Sequence, residues 1–200
     1  MDKPRSRPLA AAGFTMIEVL ISLLILTFGL LGLVGIQAMA QRSEAESYQR
    51  AQALVLLQDM VDRINVNRKV AGCYAFTPSA GTVFAGTGAT APTCGGAFGT
   101  AQQRAQADVD MAAWHNLLRG AAESLGANQV GAMIGARGCV MLDTTVNPNV
   151  YQVQVAWQGL TPTINPTSVD PKLTCATGQY GSELQRRVIS QSFPMACLSC

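Results

Sequence analysis

The stretch AAAGFTMIEVLISLLILTFGLLGLVGIQAMAQR, residues 10–42, limits where the rest of the chain can lie. From Phe14 to Ala40 it contains 27 residues and one formal charge, that of Glu18. Because about 20 apolar residues in a helix cross the hydrocarbon core of a bilayer, this stretch predicts a membrane helix. A carboxylate inside such a helix costs about 2.5–3.5 kcal/mol. Glu18 therefore needs either a partner or a position close to the membrane surface.

The residues before the apolar run are basic. Lys3, Arg5 and Arg7 form a flank that is expected to stay in the cytoplasm. The C-terminal bulk of the chain is then expected on the other side of the membrane. A conventional signal peptide fits poorly, because the small residues 10–13 precede the apolar run instead of following it. An ordinary signal-anchor explains the flank and the run, but it gives no reason for Glu18.

The junction Gly13-Phe14-Thr15-Met16-Ile17-Glu18 resembles the leader of type IV prepilins and of type II secretion pseudopilins. The resemblance implies that a prepilin peptidase cuts after Gly13, which removes the basic leader 1–13, and methylates the new N-terminal residue, Phe14. Cleavage creates an α-amine on Phe14 that is mostly protonated at neutral pH. In a staggered bundle of helices this amine can meet Glu18 of a neighbouring subunit, so that the pair offsets the cost of both charges and fixes the register.

Gly29, Gly32 and Gly35 recur every three residues in the same helix. Each costs about 1 kcal/mol of helix propensity relative to alanine. Two interpretations remain open. The glycines allow close packing between helices in a membrane, or, as the resemblance to pilins implies, they form a segment that loosens when subunits pack in a filament.

The helix is expected to continue beyond the membrane. No proline interrupts residues 14–66, which predicts one helix of about 80 Å at 1.5 Å per residue. Residues 14–40 form its transmembrane and assembly half, and residues 41–68 form its amphipathic half. The predicted apolar face of the second half consists of Ala51, Leu54, Leu57, Val61 and Ile64.

Residues 69–200 are expected to form a head domain held by disulfides. All six cysteines follow the apolar segment, which suggests an oxidising compartment such as a periplasm. Residues 70–100 are predicted to be a loop rich in Gly, Ala and Thr. Cys73 and Cys94 bracket this loop and are the favoured local pair. Six cysteines allow fifteen pairings, and the sequence alone does not choose among them; Cys139–Cys175 is the assignment that is consistent with bridges at Cys73–Cys94 and Cys197–Cys200. Cys197 and Cys200 form a C-x-x-C motif that favours a small structural bridge over a redox site, because no βαβ context accompanies it.

A second helix is expected to begin near Asp108 as its N-cap and to end at Gly126 as its C-cap. Its apolar positions include Met111, Trp114, Leu118, Ala121 and Leu125. Trp114 is interpreted as a core residue. The single histidine, His115, is interpreted as a surface or helix-capping residue, because no partner for acid–base chemistry is apparent.

Strand signals follow in residues 129–134 and 137–142. Tyr151, Val153, Val155 and Trp157 alternate with smaller or polar residues, which predicts a half-buried strand. Residues 161–172 are predicted to be a proline-broken loop, and residues 184–193 an edge strand. The expected fold is therefore α+β and pilin-like, with a small antiparallel sheet packed on the long helix.

The length of the chain, the strand YQVQVAWQG of residues 151–159 and the late RRVIS resemble the PilV-type minor pilins, the type IV pilus modification proteins. The resemblance implies a subunit held once across the inner membrane, with a periplasmic head, that enters the pilus. There it acts with other minor pilins to prime polymerisation, which affects adhesion and twitching motility. Its expected partners are the prepilin peptidase, other minor pilins, the major pilin, the inner-membrane assembly platform and membrane lipid.

The alternatives are a pseudopilin of a type II secretion system and a membrane-anchored redox protein that uses Cys197 and Cys200. A further alternative, binding as an adhesin or in DNA uptake, rests only on analogy with the family. No enzyme activity, cofactor or metal is predicted. Removal of residues 1–13 takes away three basic residues and one acidic residue and leaves 11 of each. A neutral mature chain gives no electrostatic reason to expect nucleic-acid binding.

Overall fold

A computed structural model describes residues 13–121, 124–125, 128–129 and 133–195. The chain divides into two compact units, one that ends at Ser43 and one that begins at Glu44. The helices are α1 (Met16–Val66), α2 (Ala71–Tyr74), α3 (Ala101–Leu118) and α4 (Pro166–Val169), and a 3₁₀ turn covers Arg68–Val70. The strands are β1 (Ala85–Gly86), β2 (Ser124–Leu125), β3 (Asn128–Gln129), β4 (Arg137–Asp143), β5 (Val150–Gln158) and β6 (Arg186–Pro194). The α+β fold expected from the sequence is confirmed.

Helix α1 runs through 51 residues without a break. Its first hydrogen bonds are donated by the backbone N–H groups of Glu18 and Val19 to the carbonyl oxygen of Thr15, at 3.1 and 3.3 Å. The helix thus begins at Met16 rather than at Phe14. The prediction of one long helix is confirmed. Residues 16–66 contain no proline, and none of the glycines in this range has a positive φ.

The buried face of α1 in the second unit differs from the predicted one. Leu57, Val61 and Ile64 are buried as expected, but Ala51 and Leu54 are exposed. The complete buried set of α1 is Gln49, Ala53, Leu56, Leu57, Met60, Val61 and Ile64. The face is turned toward α3, because the indole Nε1 of Trp114 donates to the carbonyl oxygen of Leu56 at 2.8 Å.

Helix α3 begins earlier than predicted. Its N-cap is Thr100, which forms a capping box with Gln103, so the prediction of Asp108 as the N-cap is wrong. Asp108 instead accepts a hydrogen bond from the backbone N–H of Cys94 at 2.6 Å. The helix ends at Leu118 with Arg119 as its C-cap, so the prediction that it ends at Gly126, a residue outside the described ranges, is wrong. Trp114 is fully buried, which confirms it as a core residue.

The main sheet has the order β1-β4-β5-β6, and all of its pairs are antiparallel. Val140 lies opposite Val153, and Val155 lies opposite Ile189. β6 is an edge strand, as the sequence predicted. Val140, Val153 and Val155 join the same hydrophobic core as the buried face of α1 and Trp114.

Strand β5 is buried on both faces in its central part, which corrects the prediction of a half-buried strand. On the face away from the helices, Gln154 is fully buried. Its amide Nε2 donates to the carbonyl oxygen of Lys172 at 2.6 Å, and its Oε1 accepts from the N–H of Cys175 at 3.1 Å. A second apolar cluster on this side includes Met141, Ala156 and Tyr180. The segment around Cys175 therefore covers the face that was expected to meet solvent.

Three segments contain structure that the sequence reading assigned differently. The loop of residues 70–100 contains α2 and the short strand β1, and the loop of residues 161–172 contains α4. Of the strand expected over residues 129–134, Gln129 lies in β3, residues 130–132 lie outside the described residues, and residues 133–134 form a bend and a turn. The strand expected over residues 137–142 is confirmed as β4.

Candidate assembly site

The first unit exposes an uninterrupted apolar surface. Its most apolar 18-residue window has a mean hydropathy of 2.7, and none of that window is buried. By length and composition, α1 is the one described helix that could cross a membrane. Its exposed large apolar side chains are Met16, Ile17, Val19, Leu20, Ile21, Leu23, Leu24, Ile25, Leu26, Phe28, Leu30, Leu31, Leu33, Val34, Ile36 and Met39. A surface of this extent requires lipid or other apolar helices to cover it.

Polar side chains inside the apolar run bond to the helix itself. The hydroxyl of Ser22 donates to the carbonyl oxygen of Glu18 at 2.7 Å, and that of Thr27 donates to the carbonyl oxygen of Leu24 at 2.8 Å. Such internal bonds remove the cost of placing a hydroxyl in hydrocarbon. The carboxylate of Glu18 is the charged group of the run that remains exposed.

The Gly13–Phe14 junction precedes the helix. Residues 13–15 are not helical, and the side chain of Phe14 is 83% exposed. Glu18 lies in the first turn of α1, where a negative charge is favourable to the helix dipole. In the intact chain the nitrogen of Phe14 belongs to a peptide bond and carries no charge. Phe14 and Glu18 are thus close along the chain, and an ion pair between them requires a free amine.

Gly29, Gly32 and Gly35 have open space around them. A Cβ atom built on each of these residues meets no atom within 4 Å. Packing within the described chain therefore gives no reason for glycine at these positions. The two interpretations considered from the sequence, close packing with other helices and loosening of this helix, both stay open.

Within the second unit, Glu46 connects the first residues of this unit's segment of α1 to three residues that are distant in the sequence. The carboxylate atom Oε1 of Glu46 accepts from the N–H groups of Leu160 and Thr161 at 3.0 and 3.1 Å, and from the hydroxyl of Thr161 at 3.0 Å. Arg187 contributes Nη2 at 3.3 Å. Burial raises the pKa of Glu46, but the bonds from Thr161 and the charge of Arg187 lower it more, so the net pKa lies below the ordinary value. No local pattern in the sequence pointed to this cluster.

A second buried cluster joins α1, α2 and α3. The hydroxyl of Tyr74 donates to Oδ2 of Asp110 at 2.5 Å, and Arg63 contacts Oδ1 of Asp110 at 3.3 Å. Arg63 also pairs with Asp59 at 2.8 Å. Burial and the neighbouring carboxylate of Asp110 raise the pKa of Tyr74. These groups satisfy one another, which indicates a structural role in holding the three helices together.

His115 is buried, so the prediction of a surface or capping position is wrong. Its Nδ1 accepts a hydrogen bond from the backbone N–H of Gly86 at 3.0 Å. Burial lowers the pKa of His115, and the positive charge of Arg119 lowers it further. The residue is a neutral hydrogen-bond acceptor that ties α3 to β1.

The structure contains the two disulfide pairs favoured from the sequence. Cys73–Cys94 ties α2 to the loop before α3, and Cys139–Cys175 ties β4 to the segment that covers the outer face of the sheet. Cys197 and Cys200 lie outside the described residues. Within the described ranges, no group of three or more His, Cys, Asp or Glu residues could hold a metal ion.

Comparison with known proteins gives one finding on the family. Residues 35–110 match the Tt1218-like family, described as type IV pilin Tt1218. The match runs from the apolar half of α1 into α3, covers less than half of the chain, and does not include the junction at residues 13–18. Comparisons with curated proteins and with solved structures find no match. Residues 35–110 are thus similar to a type IV pilin, and the matched region begins within the apolar part of the one described helix that could cross a membrane.

Proposed function

We propose that this chain is a minor pilin of the PilV type that takes part in assembling a type IV pilus. The observation that carries the proposal is the exposed apolar half of α1, with one carboxylate, Glu18, shortly after a Gly-Phe junction. The family match lies entirely C-terminal to that junction. The junction and the matched region are thus separate parts of the chain, and both support the same function. The description of the matched family favours a pilus over a secretion system.

The subunit is first held in the inner membrane by residues 14–40, with its N-terminus in the cytoplasm and its head in the periplasm. A prepilin peptidase cuts after Gly13 and methylates Phe14. The assembly platform then transfers the helix from lipid into a bundle with other minor pilins and the major pilin. Because lipid and neighbouring helices are similarly apolar, this transfer keeps the surface of α1 covered throughout.

The charge pair supplies direction and register to this transfer. A methylated α-amine on Phe14 remains cationic near neutral pH, and Glu18 of a neighbouring subunit is its natural partner. Each charge alone is costly in an apolar bundle, whereas the pair is tolerated when its geometry is good. The subunit acts at the priming or tip complex of the pilus, and its loss reduces adhesion and twitching motility.

Substitution of Glu18 tests this proposal. In a strain that carries Glu18→Ala, we expect the protein in sheared pili to fall at least about tenfold, which corresponds to about 1.4 kcal/mol of lost pairing. The amount in the membrane fraction is expected to stay unchanged, because removal of a charge does not hinder insertion. Immunoblots of both fractions give the two amounts.

The matched control is Glu44→Ala, since Glu44 is an exposed glutamate of the same helix beyond the apolar run. It is expected to enter pili normally. Normal incorporation of the Glu18→Ala protein would rule out the charge pair as an assembly contact.

A further inference from the structure

The connection between β5 and β6, residues 159–185, exposes aliphatic side chains at one end of the sheet. Leu160 is 41% exposed, Ile164 is 67% exposed and Leu184 is 46% exposed. Backbone bonds hold the two ends of the connection side by side: Gly159 donates to the carbonyl oxygen of Gln185 at 2.8 Å, and Thr163 donates to that of Leu184 at 2.7 Å. These bonds bring the three residues to the same end of the sheet, and we name their exposed side chains the aliphatic patch.

The polar groups beneath the aliphatic patch are already bonded. Glu46 accepts from the N–H groups of Leu160 and Thr161. Arg187 pairs with Glu46, donates to the carbonyl oxygen of Thr161 at 2.6 Å and donates to the hydroxyl of Thr163 at 2.6 Å. The charges of Glu46 and Arg187 thus offset each other. Exposed aliphatic side chains whose charged neighbours are paired suit an apolar environment better than open water.

Glu46, which bonds to the patch, lies close to the apolar run along the chain. Glu46 follows Ala40, the last residue of the apolar run, by six residues. Six residues span at most about 20 Å when fully extended and about 9 Å as a helix. The headgroup regions add roughly 5–8 Å on each side of the hydrocarbon core. The residue that holds the patch is therefore tethered within reach of the bilayer surface.

We propose that Leu160, Ile164 and Leu184 form a second membrane contact, which rests among the lipid headgroups of the periplasmic leaflet while the subunit is stored in the membrane. This inference rests on the proposed function, since it requires residues 14–40 to span the bilayer. Lipid is the occupant because the patch is tethered to the membrane segment and bears no unpaired charge among the residues named. Aliphatic side chains that enter the interface to a depth of about 5–10 Å bind in this way.

Tryptophan quenching by brominated lipid tests the contact in the full-length protein. Ile164→Trp reports the patch, and Phe28→Trp reports the membrane helix. Val146→Trp is the control, because Val146 is 45% exposed and lies before β5, at the opposite end of that nine-residue strand. The native Trp114 and Trp157 are buried, and the signal of the wild-type protein is subtracted.

In vesicles of brominated phosphatidylcholine, the added fluorescence is expected to fall by roughly half for Ile164→Trp and Phe28→Trp, and by less than about a tenth for Val146→Trp. Quenching at Phe28→Trp with equal values at Ile164→Trp and Val146→Trp would overturn the second contact and leave the membrane anchor intact. Absence of quenching at Phe28→Trp would overturn the anchor as well. If Ile164→Trp prevents folding, Leu184→Trp replaces it with the same expected values.

Discussion

Two glutamates on the same helix show how surroundings determine a role. Glu46 has donors from Leu160, Thr161 and Arg187 within its own chain. Glu18 is exposed among apolar side chains. A carboxylate that is satisfied inside the chain acts in the fold, whereas one that is exposed on an apolar surface requires a partner from outside. For this reason Glu46 stabilises the head and Glu18 is the candidate assembly residue.

The burial of His115 leads to a prediction on how the stability of the protein depends on pH. Burial and the charge of Arg119 place the pKa of His115 below its ordinary value of 6.5. As the pH falls below about 6.5, the unfolded chain binds a proton that the folded chain resists, so the free energy of unfolding decreases. In His115→Asn, Oδ1 can accept from Gly86 and no proton is bound. Urea unfolding in detergent micelles is expected to show a smaller loss between pH 7.5 and pH 5.5 in this variant.

The carboxylates of the chain are common to both proteins, so the difference between their pH profiles isolates His115. A second variant, His115→Leu, leaves the buried N–H of Gly86 without an acceptor and is expected to cost about 1–3 kcal/mol at pH 7.5. Identical pH profiles for the wild-type and Asn proteins would contradict the buried, neutral histidine.

The sequence predicted the burial of some residues correctly and that of others wrongly. Trp114 was recognisable as core because it lies at an apolar helical spacing. The neighbouring His115 was not, because its burial depends on β1, a strand of two residues with no detectable pattern. Arg186 is fully buried and bonded to Glu183 and to backbone carbonyls, although arginine is usually exposed. Contacts between distant segments determine such positions, and a linear pattern does not contain them.

At the scale of elements, strong local patterns in the sequence specify where a helix forms and where it begins. Helix α1 was predictable because a long apolar run without proline has few other structures open to it. The start of α3 was also encoded, since Thr100 and Gln103 follow the S/T-x-x-E/Q spacing of a capping box. The sequence predicts Asp108 as the N-cap because it precedes the apolar positions. Its carboxylate instead accepts a hydrogen bond from the backbone N–H of Cys94.

Strand β5 shows where an alternating pattern misleads. Tyr151, Val153, Val155 and Trp157 face the helical core, as predicted. The opposite face is also covered, because the Cys139–Cys175 disulfide and the amide of Gln154 hold the later segment against it. Polar residues on a strand indicate a solvent-exposed face unless another segment forms hydrogen bonds to them. In this chain the segment that does so lies about 20 residues further along.

Gly138 in β4 gives a prediction on the contact between α3 and the sheet. A Cβ atom at this position would overlap the ring of Trp114 and approach Leu118 at 2.7 Å. Gly138→Ala is therefore expected to lower the free energy of unfolding by about 1–3 kcal/mol, as overpacked cores do. Urea unfolding followed by circular dichroism measures the change.

Gly95→Ala is the matched control, because a Cβ atom at Gly95 meets nothing within 4 Å and its φ is not positive. Its effect is expected to stay within about 0.5 kcal/mol. Equal stabilities for the two variants would show that α3 does not lie against β4 as closely as described.

At the scale of the whole molecule, the chain joins two units with opposite surfaces. The first exposes apolar side chains along α1, and the second buries its apolar residues between helices and a four-stranded sheet. Hydropathy alone predicts the apolar first half of α1. The junction at residues 13–18 is a local motif, and its cleavage stays a prediction. The contacts that hold the head to Glu46 were not predictable, since they join residues more than 100 positions apart.

The central claim is that the chain is processed as a pilin, and the mature N-terminus tests it most directly. Intact-mass and peptide mass spectrometry should be applied to the protein from cells with and without the prepilin peptidase. The account predicts loss of residues 1–13 and one methyl group on Phe14 when the peptidase is present, and an intact leader when it is absent. An unprocessed N-terminus in both strains, or cleavage after the apolar run, would contradict it.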